Sequence, residues 1–306
     1  MKHVFILNPA AGKNKRALSI IPEIKGYFEK NPADYVIDIT KASNDATKIA
    51  RFYAQSQKNV RFYSCGGDGT LLEVLNGAYG HENCEIACIP CGSANDYIKN
   101  FDNQELFQSV DAQVNGMPHK VDTIDCNGRM SLNICCMGMD ADVADKMKYF
   151  KNYPLVSGHN AYRLAVAYMF FKRIGRQLIV RIESQSTHIE HKGDYLFALA
   201  ASGKCYGGGY YGAPQACPDD GVLDFVFVDT IKRLQVLGFL KKYKAGNHLD
   251  MPIVHSFRGS SMRVTSTTPV TVCIDGETFS EREITFKVCP HSVSFILPQK
   301  NIVNNL

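Results

Sequence analysis

With 306 residues, 45% hydrophobic and 21% charged, the chain has the length and composition of a soluble globular protein large enough for two domains. Its net charge of +4 is mild and gathers into no long basic stripe, which argues against a nucleic-acid binder and leaves a nucleotide or an anionic membrane surface within reach. Eleven cysteines, an odd number, read as reduced thiols, and no signal-peptide pattern precedes the first apolar run, so a cytoplasmic protein is expected.

Residues 3–8 read as an apolar strand stopped by Pro9, and 13–30 carry helical spacing with Pro22 marking a kink or a restart. A strand at 35–40, a helix at 43–55, a strand at 60–65, a helix at 70–80 and a strand at 85–90 follow. This βαβ rhythm predicts a parallel sheet covered on both faces, with ligands at the carboxyl ends of its strands. Asn8, Thr40, the Gly66 turn and Gly92 all fall at such ends. After a helical pattern at 106–114 the character changes. Short alternating strands are predicted at 129–135, 177–183, 195–202, 223–228, 262–266, 270–274, 284–288 and 292–297, with helical patterns at 160–174 and 231–243. The second domain is therefore expected to be mostly antiparallel, a β-sandwich, with the boundary near 120–130. The apolar stretch 162–171 is too short to span a bilayer, so any membrane contact is peripheral. Lys172-Arg173-Arg176 and Lys241-Lys242-Lys244 are the best candidates for a basic surface.

Three strand ends carry chemistry. Ser64-Cys65-Gly66-Gly67-Asp68-Gly69-Thr70 reads as strand, glycine turn and helix start, a geometry that turns backbone N–H groups and a positive helix end toward a phosphate. Asp68 is the odd member, because a carboxylate there repels phosphate unless a cation such as Mg²⁺ intervenes. Thr70 and Glu73 have capping-box spacing at the helix entry. Asn8-Pro9-Ala10-Ala11-Gly12-Lys13 lacks the full phosphate-loop pattern and is weak alone. Pro90-Cys91-Gly92-Ser93-Ala94-Asn95-Asp96 sets glycine, hydroxyl, amide and carboxylate in succession. Cys84, Cys88 and Cys91 have the spacing of a three-thiolate iron–sulfur site, but they sit in a run that reads as a buried strand rather than a loop.

Taken together, these motifs resemble the diacylglycerol kinase catalytic-domain family of lipid kinases, and more distantly sphingosine kinases and NAD kinases. N-P-x-x-G matches Asn8, Pro9 and Gly12; G-G-D-G-T-x-x-E-V matches 66–74; P-x-G-[TS]-x-N-D matches Pro90, Gly92, Ser93, Asn95 and Asp96. Asp122, Asn127 to Asn133, Gly138 and Asp140-Ala141 look like the family's passage into its second domain. Ala11 and Ser93 are mild departures, and Lys99 stands where relatives carry an arginine.

The resemblance implies an NAD-kinase-like, Rossmann-related α/β domain at 1–125, to which a tail at about 295–306 returns, and a β-sandwich at 126–294. It also implies ATP as co-substrate, Mg²⁺, and a lipid acceptor at a peripheral membrane contact, with a homodimer left open. Nucleotide binding is then expected at Asn8, Pro9, Gly12, Thr40, Gly66, Gly67, Asp68, Gly69, Thr70, Gly92, Ser93, Asn95 and Asp96. Asp68, Asp96 and Asp122 are expected to hold the catalytic Mg²⁺ through waters, and Asp220, with the carbonyls of Cys217 and Val222, a structural one. Asp275-Gly276-Glu277 reads as a hairpin turn, and the resemblance makes Glu277 the catalytic base with Asp275 orienting it or sharing the metal network. The implied reaction is phosphorylation of diacylglycerol to phosphatidic acid. Phosphatidylglycerol, a sphingoid base or NAD as acceptor, and a catalytically silent nucleotide- or lipid-binding protein, are the alternatives.

Overall fold

The structure, a computed structural model, describes residues 1–12, 15–56, 58–151, 164–165, 167–168, 175–184 and 187–299. The chain divides into two units, the first Met1–Asp122 with the segment beginning at His291, the second Thr123–Pro290. The crossings thus lie three and four residues before the expected ones.

In the first unit, β1 (Lys2–Leu7), β2 (Tyr35–Ile39), β3 (Val60–Gly66) and β4 (Cys84–Pro90) pair in the order β2–β1–β3–β4, all parallel. The returning end of β13 (Glu277–Leu297) adds a fifth parallel strand beside β4, with Ser294 opposite Glu85 and Phe295 opposite Ile86. Phe295 packs among Tyr97, Phe101 and Phe107 with ring centroids 5.0, 5.4 and 6.2 Å away. Helix α1 (Arg16–Ser19) ends and α2 (Ile21–Lys30) restarts with Pro22 in its first turn, where a missing N–H costs nothing. α2 buries Ile24 and Phe28 against the sheet. α3 (Asp45–Ser56) buries Ala46, Ala50 and Ala54, one small residue per turn, and so approaches α4 (Asp68–Ala78) closely. A Cβ on Gly77 of α4 would stand 2.4 Å from the Thr47 carbonyl oxygen, so only glycine fits. Arg61 of β3 pairs with Glu85 at 2.6 Å and donates to the carbonyls of Gln113, Val114 and Gly116 at the end of α5 (Val110–Val114), a cation placed at a helix C-terminus.

The second unit is antiparallel. Its strands are the distal part of β5 (Met117–Cys126), β6 (Arg129–Ser131), β7 (Ile134–Gly138), β8 (Arg176–Ser184), β9 (Thr187–Ala201), β10 (Leu223–Asp229), β11 (Val254–Gly259), β12 (Ser261–Ile274) and the first part of β13. The long strands β9 and β12 each pair with β8 over one half and with β7 over the other, so the ladder β7–β9–β8–β12 closes on itself. A register break between Thr265 and Val270 lets β12 turn from one partner to the other. β10 and β11 extend the far side of β9. Helices α6 (Met139–Lys151) and α7 (Arg233–Lys244) complete the unit, and Val236, Phe239 and Tyr243 of α7 pack with Phe197, Leu199, Val226 and Val228 in its core.

The expected strands 262–266 and 270–274 are one strand, as are 284–288 and 292–297, whereas 129–135 is two. Helix α6 and strands β5 and β11 are additions. The helical pattern at 160–174 and the cations Lys172 and Arg173 fall almost wholly outside the described residues, as does most of the tail at 295–306.

Candidate active site

In the first unit three strand-to-helix loops meet. Asn8, just past β1, donates from Nδ2 to Thr70 Oγ1 (3.0 Å) and accepts at Oδ1 from the Ala10 amide (3.0 Å), which ties the first loop to the second. The second and third loops are tied by the Gly66 carbonyl, which accepts from the amides of Cys91 and Gly92 at 2.7 and 3.0 Å. Two glycines exist for these approaches. A Cβ on Gly12, whose φ is +75°, would sit 2.2 Å from the Cys91 carbonyl oxygen, and one on Gly92 would sit 2.6 Å from the Gly67 Cα. Asn95 closes the third loop, accepting from the Gly92 amide (3.2 Å) and donating to its carbonyl (2.9 Å).

α4 begins two residues earlier than its sequence pattern implies, at Asp68 with Gly67 as cap, so the expected capping box does not form. Thr70 lies in the first turn, 5% exposed, with its hydroxyl held by Asn8. Glu73 reaches the neighbouring helix instead, accepting from the amides of Asn44 (2.9 Å) and Ala46 (3.1 Å), and so caps α3. Thr40, 8% exposed, turns its hydroxyl to the Leu7 carbonyl (3.4 Å). Thr40 and Thr70 therefore frame the loops, while Gly12, Gly69 and Ser93 lie exposed, and Pro9, Gly67 and Asp68 are half-buried.

The three carboxylates expected at a metal are placed differently. Asp68 Oδ1 accepts from the amides of Asp96 (2.8 Å) and Tyr97 (3.4 Å), which aims the carboxylate across the mouth of the turn. Asp96 is 4% exposed and pairs with Lys99 at 2.5 Å. Asp122 is fully buried and accepts from the His291 amide at 2.7 Å, holding the returning chain in place. Among the described residues no three His, Cys, Asp or Glu side chains gather closely enough to hold a metal ion directly, which leaves the expected contact through waters. Mg²⁺ keeps most of its waters and is commonly held by one or two carboxylates with substrate phosphates, and Asp68 alone suits that mode.

At the second expected metal site the carboxylate of Asp220 has partners within the protein. Asp220 accepts at Oδ1 from the Val222 amide (3.2 Å), and its Oδ2 pairs with the guanidinium of Arg258, which also reaches Asp224 at 3.4 Å. A cation already neutralises the carboxylate that was to bind Mg²⁺. Arg258 lies on β11, a strand without a clear sequence signal, which is why the pairing was not foreseen.

In the second unit, Asp275 (φ +43°) and Gly276 (φ +95°) form the two-residue turn between β12 and β13, with Ile274 paired to Glu277. The Asp275 carboxylate is buried and accepts from Ser131 Oγ (2.8 Å) and from the amides of Leu132 (2.9 Å) and Ile134 (3.0 Å). Burial raises its pKa above the ordinary carboxylate value, against the pull of those donors. It fixes the turn, and Glu277 stands exposed two residues on. Elsewhere in this unit a polar cleft of about 480 Å³ is lined by Asp142, Asp145, Lys146, Arg176 and Thr271. Its Arg176 pairs with Asp142 at 2.6 Å, so it is not the free surface cation expected from the sequence.

The thiols of Cys84, Cys88 and Cys91 are buried, and desolvation pushes all three up, Cys84 to about 11. They are packing thiols rather than cluster ligands.

A parallel α/β unit whose glycine loops surround one carboxylate is thus followed by an antiparallel unit. Residues 2–126 match the diacylglycerol kinase catalytic domain, and residues 133–297 match the YegS C-terminal NAD kinase beta sandwich-like domain. The chain belongs to the diacylglycerol kinase catalytic-domain family of lipid kinases, which transfer phosphate to an alcohol with ATP as co-substrate. It is 26% identical over 285 residues to a diacylglycerol kinase of Staphylococcus carnosus, covering 89% of this chain and 87% of that one. It is 23% identical over 287 residues to a diacylglycerol kinase of Bacillus subtilis, with 89% and 88% covered. A diacylglycerol kinase structure from Bacillus anthracis superposes with a TM-score of 0.69 over 99% of this chain and 98% of that one at 19% identity, a likeness of fold. No helix among the described residues is long and apolar enough to cross a membrane.

Proposed function

We propose that the chain phosphorylates the free hydroxyl of diacylglycerol, giving phosphatidic acid and ADP, and that its first unit is the NAD-kinase-like, Rossmann-related half that binds ATP. The observation that carries this reading is Asp68. An acid held by two backbone amides at the mouth of a glycine turn has a purpose when Mg²⁺ and nucleotide phosphates share the site.

In this reading the loops at Gly12, Gly66–Gly69 and Gly92–Ser93 receive the phosphates through backbone amides, and Asn8, Thr70 and Asn95 keep those loops in place. Asp68 would hold the Mg²⁺, whose charge neutralises the phosphate oxygens. Asp96 and Asp122 support it indirectly, through Lys99 and His291. Glu277 takes the proton of the acceptor hydroxyl as its oxygen bonds to the terminal phosphorus and the bond from that phosphorus to the ADP oxygen breaks. Asp275 acts on Glu277 by fixing the turn.

Glu277→Gln is expected to keep nucleotide affinity by calorimetry and to lose turnover by roughly 10²- to 10⁴-fold, the scale of a missing general base. Wild-type turnover in that variant refutes the assignment. Mass spectrometry of products from a mixture of diacylglycerol, phosphatidylglycerol, a sphingoid base and NAD with ATP identifies the acceptor, and nucleotide binding with no product at all would leave the silent-binder reading.

A further inference from the structure

Helix α7 has two unlike faces. Val236, Phe239 and Tyr243 are buried in the core of the second unit, while Leu234 and Leu237 are 81% and 57% exposed. Leu234, Leu237, Gly238 and Lys241 stand three, four and seven residues apart and share the outer face. That face is open: a Cβ on Gly238 would meet nothing within 4 Å. Around the leucines lie the exposed cations Lys232, Arg233, Lys241, Lys242 and Lys244. From Thr230 to Leu249 there is no acidic residue, and among the described residues neither Lys241 nor Lys242 pairs with an acid. Exposed leucine on a helix costs solubility, and a rim of cations in a stretch without acidic residues fits an anionic surface.

We propose that the outer face of α7 docks on the anionic surface of a lipid bilayer, with Leu234 and Leu237 entering the acyl boundary and the five cations against the headgroups. This is the behaviour of an interfacial helix that lies in the membrane plane, with lysine stems extended along the apolar zone and ammonium groups in the polar layer. The choice of a bilayer over a second copy of the chain rests on charge. Two such faces apposed would set five cations against five, whereas an anionic leaflet attracts each of them. The inference rests on the lipid-kinase reading for its biological setting, since a bilayer is where such an acceptor resides.

The test is sedimentation of the full chain with vesicles of phosphatidylcholine alone and of phosphatidylcholine with an equal part of phosphatidylglycerol. Binding is expected to the mixed vesicles only and to fall steeply as salt approaches about 0.5 M, where screening shortens to a few Å. K241E/K242E is expected to lower the partition coefficient at least 30-fold, about fivefold for each cation lost near an anionic surface. L234A/L237A should lower it on the order of tenfold or more through lost apolar burial. Gly238→Glu, at a helix position where an added Cβ meets nothing within 4 Å, should weaken binding with a melting temperature no lower than that of the wild type. All three variants should keep wild-type kinase activity on acceptor dispersed in detergent micelles. Vesicle binding that is absent, equal on neutral vesicles, or unaffected by all three variants overturns the proposal, as does salt-sensitive self-association through this face in place of vesicle binding. Binding that follows the prediction in a protein that phosphorylates no lipid would support the docking face and remove the lipid-kinase reading instead.

Discussion

Asp275→Ala tests the claim that the turn carrying Glu277 is held from beneath. The substitution strips the acceptor from Ser131 Oγ and from the amides of Leu132 and Ile134, which lie 2.8, 2.9 and 3.0 Å from the carboxylate. An orphaned buried donor costs roughly 1–3 kcal/mol, and three that relax together come to on the order of 3–5 kcal/mol. For a domain the size of the second unit that is a fall in Tm of roughly 10 °C. Urea unfolding followed by tryptophan fluorescence is not an option in a chain without tryptophan, so far-ultraviolet circular dichroism and calorimetry are the assays. Asp275→Asn serves as the control: it keeps one acceptor oxygen but turns an NH₂ toward the remaining donors, so it should recover only part of the loss. A destabilisation below about 1 kcal/mol for Asp275→Ala would mean that the three bonds are not holding the turn.

Two further predictions concern groups outside the proposed chemistry. Burial of its carboxyl raises Asp140 from the ordinary value of 3.8 to about 7, against a hydrogen bond from Tyr243, and the Tyr206 hydroxyl also donates to it. The folded state then binds more protons than the unfolded state between about pH 4 and 7, so stability falls as pH rises through that window and is flat above it. At ~1.4 kcal/mol per pH unit the loss is on the order of 4 kcal/mol, and Asp140→Asn should remove that share of the slope between pH 5 and 7 in chemical denaturation; an unchanged slope would move its origin elsewhere. At the Asp220–Arg258–Asp224 cluster, wild-type Tm should be the same in Mg²⁺ and in chelator. Arg258→Gln should cost about 1 kcal/mol, since its side chain is half exposed, and should leave a protein that Mg²⁺ stabilises. A wild-type Tm that drops in chelator would show that a metal holds this loop after all.

Local patterns carried the fold well wherever the local signal was also the deciding one. The apolar strands of the first unit, the Gly66–Asp68 turn and the Asp275-Gly276 hairpin each follow from residues within a few positions of one another. What escaped depends on partners far along the chain. Glu73 has perfect spacing to cap its own helix, yet it caps α3, because α4 starts at Asp68 and presents that side chain to Asn44 and Ala46. Asp122 looks like a free metal ligand until His291, 169 positions away, is seen to occupy it. Arg258 and Asp220 likewise belong to different elements. Strands β12 and β13 were read as fragments because their alternation lapses around the register break and at Pro290, although pairing continues on either side.

The fifth strand beside β4 has a consequence for how the protein is made. The ribosome delivers Met1–Asp122 first, yet Phe295, which fills the aromatic pocket of Tyr97, Phe101 and Phe107, and His291, which satisfies the buried Asp122 carboxylate, emerge only after the whole of Thr123–Pro290. Until then the edge of β4 offers an unpaired ladder and an unfilled hollow to whatever the cell supplies. Translation therefore leaves the unit begun first to be completed last, and its closing stitch is a handful of late residues.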